Sequence, residues 1–247
     1  MNYGPASKYY DLFAQSDDID FYKELAAKRG RRALELGVGT GRVAIELAKA
    51  GVTVWGIDNS KYMLSVARQK LRKECSAVRR RVKLMPGDMR NFRLKETFPL
   101  VYIPSSTFEH CITQEDQRNC LTCVFNAMET KGILAFDISQ PTDEKPEGSW
   151  WVDRKEVGVE EEVVRTIFSR RKPETNIVSV NLFFESYRKG KLKEKYCEYG
   201  EARISAKKDI QDLLEDLGFR VDNVYGSFDR APYSPKSPKV IFISSKP

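Results

Sequence analysis

The chain has 247 residues, of which 42 are Lys or Arg, 35 are Asp or Glu and one is His, giving a formal net charge of +7. That length suits one large α/β domain with at most a small appendage, and 41% hydrophobic with 11% aromatic content excludes a disordered or fibrous chain. The five cysteines (Cys75, Cys111, Cys120, Cys123, Cys197) are odd in number and irregularly spaced, which excludes a disulfide framework and points to a reducing compartment. No apolar run approaches the roughly 18 residues that span a bilayer, and Met1-Asn2-Tyr3-Gly4-Pro5 lacks an apolar signal segment, so a soluble, cytoplasmic protein without membrane partners is expected.

In chain order, Tyr9, Leu12 and Phe13, then Ile19, Phe21, Tyr22 and Leu25, recur at near-helical spacing and predict two short amphipathic helices. From Arg32 the pattern becomes strand and helix in alternation. Ala33 to Val38 reads as a strand, Arg42 to Ala50 as a helix and Val52 to Ile57 as a second strand. Ser60 N-caps a long helix reaching about Glu74. Val82 to Met85 is a third strand, Leu100 to Ile103 a fourth, Glu115 to Met128 a helix and Gly132 to Ile138 a fifth strand. Strands alternating with helices of this length imply right-handed crossovers and a mostly parallel, doubly wound sheet.

Gln140 to Ser149 is a connector rich in Pro, Asp, Glu and Lys. Beyond it the period drops to two: Val178, Val180, Leu182 and Phe184 alternate with Ser179, Asn181, Phe183 and Glu185. Val159 to Ser169 and Leu192 to Ile204 are also extended, and Arg188-Lys189-Gly190-Lys191 is a hairpin tip. This is a small antiparallel insert. Helical periodicity returns at Lys207 to Leu217, stopped by Gly218, and the strands Phe219 to Val224 and Val240 to Ser244 end the chain. The division expected is a helical cap over 1–30, a core over 31–149 and 206–247, and an antiparallel lid over 150–205.

Charge concentrates at Arg68 to Lys83, eight basic residues opposed only by Glu74. Such a patch attracts anions, but no aromatic residues interleave with it to stack bases, so a solvated helix face is favoured over a nucleic-acid surface.

In a doubly wound sheet ligands bind beyond the carboxyl ends of the strands. The first strand runs into Gly37-Val38-Gly39-Thr40-Gly41, which lets the backbone turn sharply and approach a ligand beside a helix N-terminus. A dinucleotide fingerprint needs a third small residue at the position of Arg42, which is absent. The second strand ends in Asp58-Asn59, where a carboxylate can accept both hydroxyls of a ribose held over the glycine loop. The third closes on Gly87-Asp88-Met89, where an acid can accept from an adenine amino group while Met89 lies along the ring. Each acid also reads as a helix cap or turn former.

The block Leu34 to Gly41, the Asp58 tip, Gly87-Asp88-Met89 and Lys131-Gly132-Ile133-Leu134 resemble the motifs of class I S-adenosylmethionine-dependent methyltransferases, over nearly the whole chain. The resemblance is nearest to small-molecule N-methyltransferases of the glycine N-methyltransferase and deoxysugar N-methyltransferase type. Those carry segments similar to Tyr9-Tyr10-Asp11-Leu12-Phe13, Thr107-Phe108-Glu109-His110 and Tyr225-Gly226-Ser227-Phe228-Asp229, and an antiparallel lid after strand five. Thr130-Lys131-Gly132 stands where many members have Pro-Gly-Gly, Phe98-Pro99 replaces Phe-Asp, and no arginine closely follows Asp17-Asp18.

The resemblance implies a seven-stranded, mostly parallel Rossmann-like α/β sheet with an inserted β lid, and S-adenosylmethionine as cofactor, leaving S-adenosylhomocysteine. Its contacts would come from Tyr10, Gly37, Gly39, Thr40, Gly41, Asp58, Asn59, Met63, Asp88, Met89 and Ser105, with Ser106 beside the last. His110 would lie next to the methyl group as base or acceptor-positioning residue, its ordinary pKa suiting proton transfer near neutrality. Tyr10 is either a sulfonium-facing ring or core packing.

The reaction is an in-line displacement at a methyl carbon, which asks for alignment and water exclusion rather than a metal or a covalent intermediate. The acceptor expected is a nitrogen or oxygen of a small molecule. An RNA or protein methyltransferase using the 68–83 patch, a cofactor-binding regulator without turnover and, more distantly, a nicotinamide oxidoreductase are the alternatives. Assembly is open between monomer and homodimer. His110, Cys111, Cys120 and Cys123 are close enough to raise zinc, but Cys120 and Cys123 sit mid-helix as small apolar thiols do, so no metal is expected.

Overall fold

Short apolar runs form the centre of a sheet in a computed structural model that describes residues 3–140, 148–172 and 174–247. A 3₁₀ segment (Pro5–Leu12) and α1 (Ile19–Lys28) precede β1 (Arg32–Leu36), α2 (Arg42–Lys49), β2 (Thr53–Asp58), α3 (Lys61–Lys73), α4 (Ser76–Arg81) and β3 (Val82–Pro86). Then come β4 (Phe98–Ile103), a 3₁₀ turn (Thr107–His110), α5 (Gln114–Ala127) and β5 (Met128–Ser139). The insert contributes β6 (Ser149–Gly158), β7 (Glu161–Lys172), β8 (Ile177–Arg188) and β9 (Lys191–Arg203). The chain closes with α6 (Lys207–Asp216), β10 (Arg220–Tyr225) and β11 (Lys239–Ser245).

The main sheet has the order β10-β11-β5-β4-β1-β2-β3, parallel except that β11 runs against both neighbours. Strand order reverses between β1 and β4, which opens a crevice at their carboxyl ends. Alternation along the strands divides the core into two layers. Ala33, Leu100 and Tyr102 face Tyr22, Val43 and Leu47 on one side; Leu34, Leu36, Val101, Ile103 and Phe136 face Phe108 and Leu121 on the other. Burial on both faces is why these strands read as unbroken apolar runs.

The insert is a four-stranded antiparallel meander, β6-β7-β8-β9, with Lys189 and Gly190 both at positive φ in the β8–β9 turn, as a two-residue hairpin requires. It is anchored by a small core in which Ile167, Leu182 and Phe184 pack against Ala6, Tyr9 and Phe13 of the first segment.

The structure departs from the sequence reading in four places. The first helix is 3₁₀, its Pro5 start and short reach favouring the tighter turn. The helix α4 inside the basic stretch was not predicted. Strand β5 begins at Met128, ahead of Gly132, because Met128 pairs with Phe98 across a register shift; a Cβ at Gly132 would meet Glu129 O at 2.8 Å. Strand β6 adds a strand to the meander ahead of Val159, at the start of the expected lid where no strand was predicted, and connector residues 141–147 lie outside the described residues. In the basic stretch, Lys70 pairs with Asp11 at 2.6 Å and the Lys83 ammonium stands 4.0 Å from the Trp55 ring centroid. No helix among the described residues is long and apolar enough to cross a membrane.

Candidate active site

The glycine loop leaves β1 and is tied to β2: Gly37 N and Val38 N both donate to Ile57 O, at 2.8 and 3.0 Å. Gly37 has φ +68°, and a Cβ there would lie 2.2 Å from Thr107 Cγ2, so only glycine lets the Thr107–His110 turn close on the loop. Asp58, at the tip of β2, accepts from Gly39 N (2.8 Å) and Ser60 N (2.7 Å). Burial holds its carboxyl above the ordinary value, against the pull of those two N–H groups. Each oxygen retains a second lone pair for a ligand.

Asp88 is not the unengaged acid the sequence suggested. Arg90 donates to it from Nε and Nη2 and also reaches Asp116, and the guanidinium keeps the Asp88 carboxyl below its usual range. Asp88 still lines the same space as Asp58.

That space is a cavity of about 370 Å³. Nine of the eleven expected cofactor contacts line it: Tyr10, Gly37, Gly39, Asp58, Asn59, Met63, Asp88, Met89 and Ser105. His110 lines it as well. Thr40 instead faces a small adjoining hollow, its hydroxyl donating to Asp11 at 2.5 Å. Gly41 stands behind the loop at the start of α2, where a Cβ would meet Ile45 and Ala67. Tyr10 is edge-on to Tyr3, with ring centroids 5.2 Å apart, and burial raises its phenol.

Ser105 and Ser106 are both left-handed, with φ of 60° and 54°. Ser106 is fixed by donating N–H and Oγ–H to Asp137 Oδ2, which also takes a bond from Lys239 Nζ.

His110 Nδ1 lies 3.1 Å from the carbonyl oxygen of Glu201 on β9, so Nδ1 carries the proton and Nε2 a lone pair. Burial pushes its pKa down to about 4. The imidazole is therefore neutral near pH 7 and is no longer a group poised to titrate there. Cys120 is buried in the core and the Cys123 thiol approaches Arg90 O; among the described residues no group of three or more His, Cys, Asp or Glu side chains is placed around a metal.

Several lining residues were missed. Tyr3, Arg90, Gly200 and Glu201 complete the cavity wall together with Tyr199, an insert aromatic whose sequence reads equally as core or as acceptor-pocket wall. A glycine inside a strand signals close approach by another group, and Gly200 carried that signal. Arg42, noted only for spoiling a dinucleotide motif, makes a two-pronged pair with Asp18 and donates to Ser105 Oγ at 2.8 Å.

A second cavity, of about 310 Å³, lies under the lid; Tyr3 lines both cavities. Its core-side acid is Glu109, 6% exposed, which accepts from Ser139 N at 2.6 Å and Ser139 Oγ at 3.3 Å. Burial pushes Glu109 up to about 7.

Residues 33–132 match the family described as a methyltransferase domain. The chain is 26% identical to a putative methyltransferase, YqeM, of Bacillus subtilis over 98% of this chain and 96% of that one. Among solved structures it is similar to the CcbJ methyltransferase of Streptomyces caelestis, with TM-score 0.84 and 20% identity over 99% of this chain and 97% of that one. It is also similar to CalS10 of Micromonospora echinaspora, an amino pentose methyltransferase solved with S-adenosylmethionine bound, with TM-score 0.75 and 17% identity over 100% and 98% of the two chains. With the glycine loop, the β2 acid and the sheet order all in place, residues 33–132 match a methyltransferase domain and the whole chain shares the fold of these solved methyltransferases.

Proposed function

We propose that the first cavity binds S-adenosylmethionine and that the chain passes its methyl group to a nitrogen or oxygen of a small molecule entering beneath the lid. The observation that carries this is the convergence of the β1 loop, the β2 acid and the β3 acid on one cavity whose far wall is His110 and the lid. The residues present fit the cofactor. Asp58 has lone pairs for two ribose hydroxyls, the glycine loop has no side chains to fill the cradle at Gly37 and Gly39, and Met63 and Met89 offer soft walls to a purine. Asp88, pinned by Arg90, is oriented to accept from an exocyclic amino group. When bound, this cofactor supplies an electrophilic methyl carbon on a positively charged sulfur.

The chain's own task is then alignment and exclusion of water. Tyr3 stands in the wall shared by the two cavities, and the half-buried Tyr10 ring offers a negative face to a cation. His110, fixed by Glu201, presents Nε2 as a hydrogen-bond acceptor that orients an N–H or O–H of the acceptor. Ser105 is held at the tip of β4 by Arg42 and by the Ser106–Asp137 bonds behind it.

Thermal unfolding with S-adenosylhomocysteine, NAD and NADP tests this reading. At 100 times its Kd a ligand adds about 2.7 kcal/mol, which for a chain of this size raises Tm by roughly 5–11 °C. S-Adenosylhomocysteine alone should do so; a comparable rise with NAD and none with S-adenosylhomocysteine rejects it.

A further inference from the structure

Glu109 and His110 are consecutive, so their Cα atoms are about 3.8 Å apart, yet they line different cavities: His110 the first, Glu109 the second. The Thr107–His110 turn is thus the seam between the two. A carboxylate nine-tenths buried is costly unless it has a partner, and Glu109 accepts only from Ser139 and enters no ion pair among the described residues. The cations nearest in the second cavity are otherwise engaged. Arg165 is paired with Asp153 and lies over the Phe13 ring; Arg171 bonds Asn176. Most of the wall toward the lid is apolar, formed by Ile167, Val178, Val180 and Leu182, with Ser169 and Gln140 as its neutral polar members.

We propose that Glu109 is the specificity-determining residue for the acceptor: it recognises a cationic nitrogen, while the acceptor's apolar body rests on Ile167, Val178, Val180 and Leu182. This rests on the first cavity being the donor site, and it assigns the second cavity to an amine rather than an alcohol. A bound ammonium must surrender a proton before its nitrogen becomes a nucleophile. The N–H bond breaks with its electron pair remaining on nitrogen, an O–H bond forms on Glu109, and an ion pair becomes a neutral amine beside a neutral acid. Low polarity favours the neutral pair, and burial has already moved Glu109 toward the proton. The charges around it are Asp137 on β5, which adds to that rise, Lys239 on β11, which opposes it, and the two arginines on β7; Tyr3 adds a phenol to the wall.

The test is calorimetric titration of the full chain, with S-adenosylhomocysteine bound, by a panel of alicyclic and sugar amines, each paired with the alcohol of the same skeleton. Amines should bind the wild type more tightly than their alcohols by about 10- to 150-fold at pH 8, the worth of a hydrogen bond to a charged group, with the preference shrinking as pH falls below about 7. Glu109→Gln keeps an acceptor for Ser139 N, and should bind S-adenosylhomocysteine within twofold of wild type while losing the amine preference and its pH dependence. Equal binding of amines and alcohols by the wild type, or an unchanged preference in Glu109→Gln, overturns the assignment. The wild-type pH series stands without any variant. Failure of S-adenosylhomocysteine to bind the wild type is a different result, and removes the donor-site reading instead.

Discussion

Arg42 and Asp18 face each other as a two-pronged ion pair, Nη1 to Oδ1 and Nη2 to Oδ2 at 2.6 Å each, with side chains only 14% and 4% exposed. The pair joins the segment before α1 to the first residue of α2. Because Arg42 also donates to Ser105, it fixes the glycine loop against the tip of β4.

Removing one partner leaves a buried charge uncompensated, so Asp18→Ala or Arg42→Ala should destabilise by about 3–5 kcal/mol. For a chain of this length that is a Tm loss of roughly 6–20 °C by scanning calorimetry. The double variant Asp18→Ala/Arg42→Ala should lose less than the two singles added together; strict additivity would show that the two groups are energetically independent.

Asp58→Ala removes the acceptor for Gly39 N and Ser60 N and, under the proposed function, for two ribose hydroxyls. S-Adenosylhomocysteine affinity should fall by about 10- to 150-fold, equivalent to about 1.5–3 kcal/mol. Titration calorimetry reads this directly, and an unaltered Kd would remove Asp58 from the cofactor site.

Gly37→Ala forces a left-handed alanine and drives its methyl into Thr107 Cγ2. The conformational part alone is about 1–2 kcal/mol. The clash should be partly relieved by adding Thr107→Ser, which deletes that methyl, so the double variant is expected to be more stable than Gly37→Ala in urea titrations. A less stable double variant would place the cost elsewhere.

Glu35 is fully buried, its carboxyl group accepting from Tyr102 Oη–H at 2.7 Å, and burial raises its pKa to about 8. The folded state therefore holds a proton that the unfolded chain releases near 4.5. The stability this confers is complete below pH 4.5 and is lost as pH rises through about 8. Glu35→Gln should flatten that fall, so its Tm relative to wild type should improve between pH 6 and pH 9. A wild-type Tm that climbs over this range for reasons that vanish in Glu35→Gln would contradict the assignment.

The sheet and the lining of the first cavity were legible because their signals are local. Doubly buried strands announce themselves as apolar runs, Ser60 caps α3 by accepting from Met63 N only three residues on, and glycines are needed where a neighbouring turn presses on the loop. What escaped depends on distant partners. Tyr3 gains its place through Ser60 Oγ, which donates to its carbonyl, and Glu109 is buried by virtue of Ser139, thirty positions away. A glutamate beside a histidine carries no mark of burial, and the pairing of Arg42 with Asp18 spans a strand and a helix before it closes. Strand β6 was hidden for another reason: Trp150, Trp151 and Val152 are exposed on an edge, so no alternation marks the run.

The opening stretch of the chain works as a tether with both ends fastened. Gly4 N and Ala6 N are bonded to Glu198 on the lid, while Asp11 holds Thr40 beside the glycine loop and Lys70 on α3. The lid cannot swing outward without tearing the bonds at Glu198 or dragging Asp11 away from the loop. The eight residues from Gly4 to Asp11 thereby gear the insert to the glycine loop, and slackening that tether at either fastening would loosen both at once.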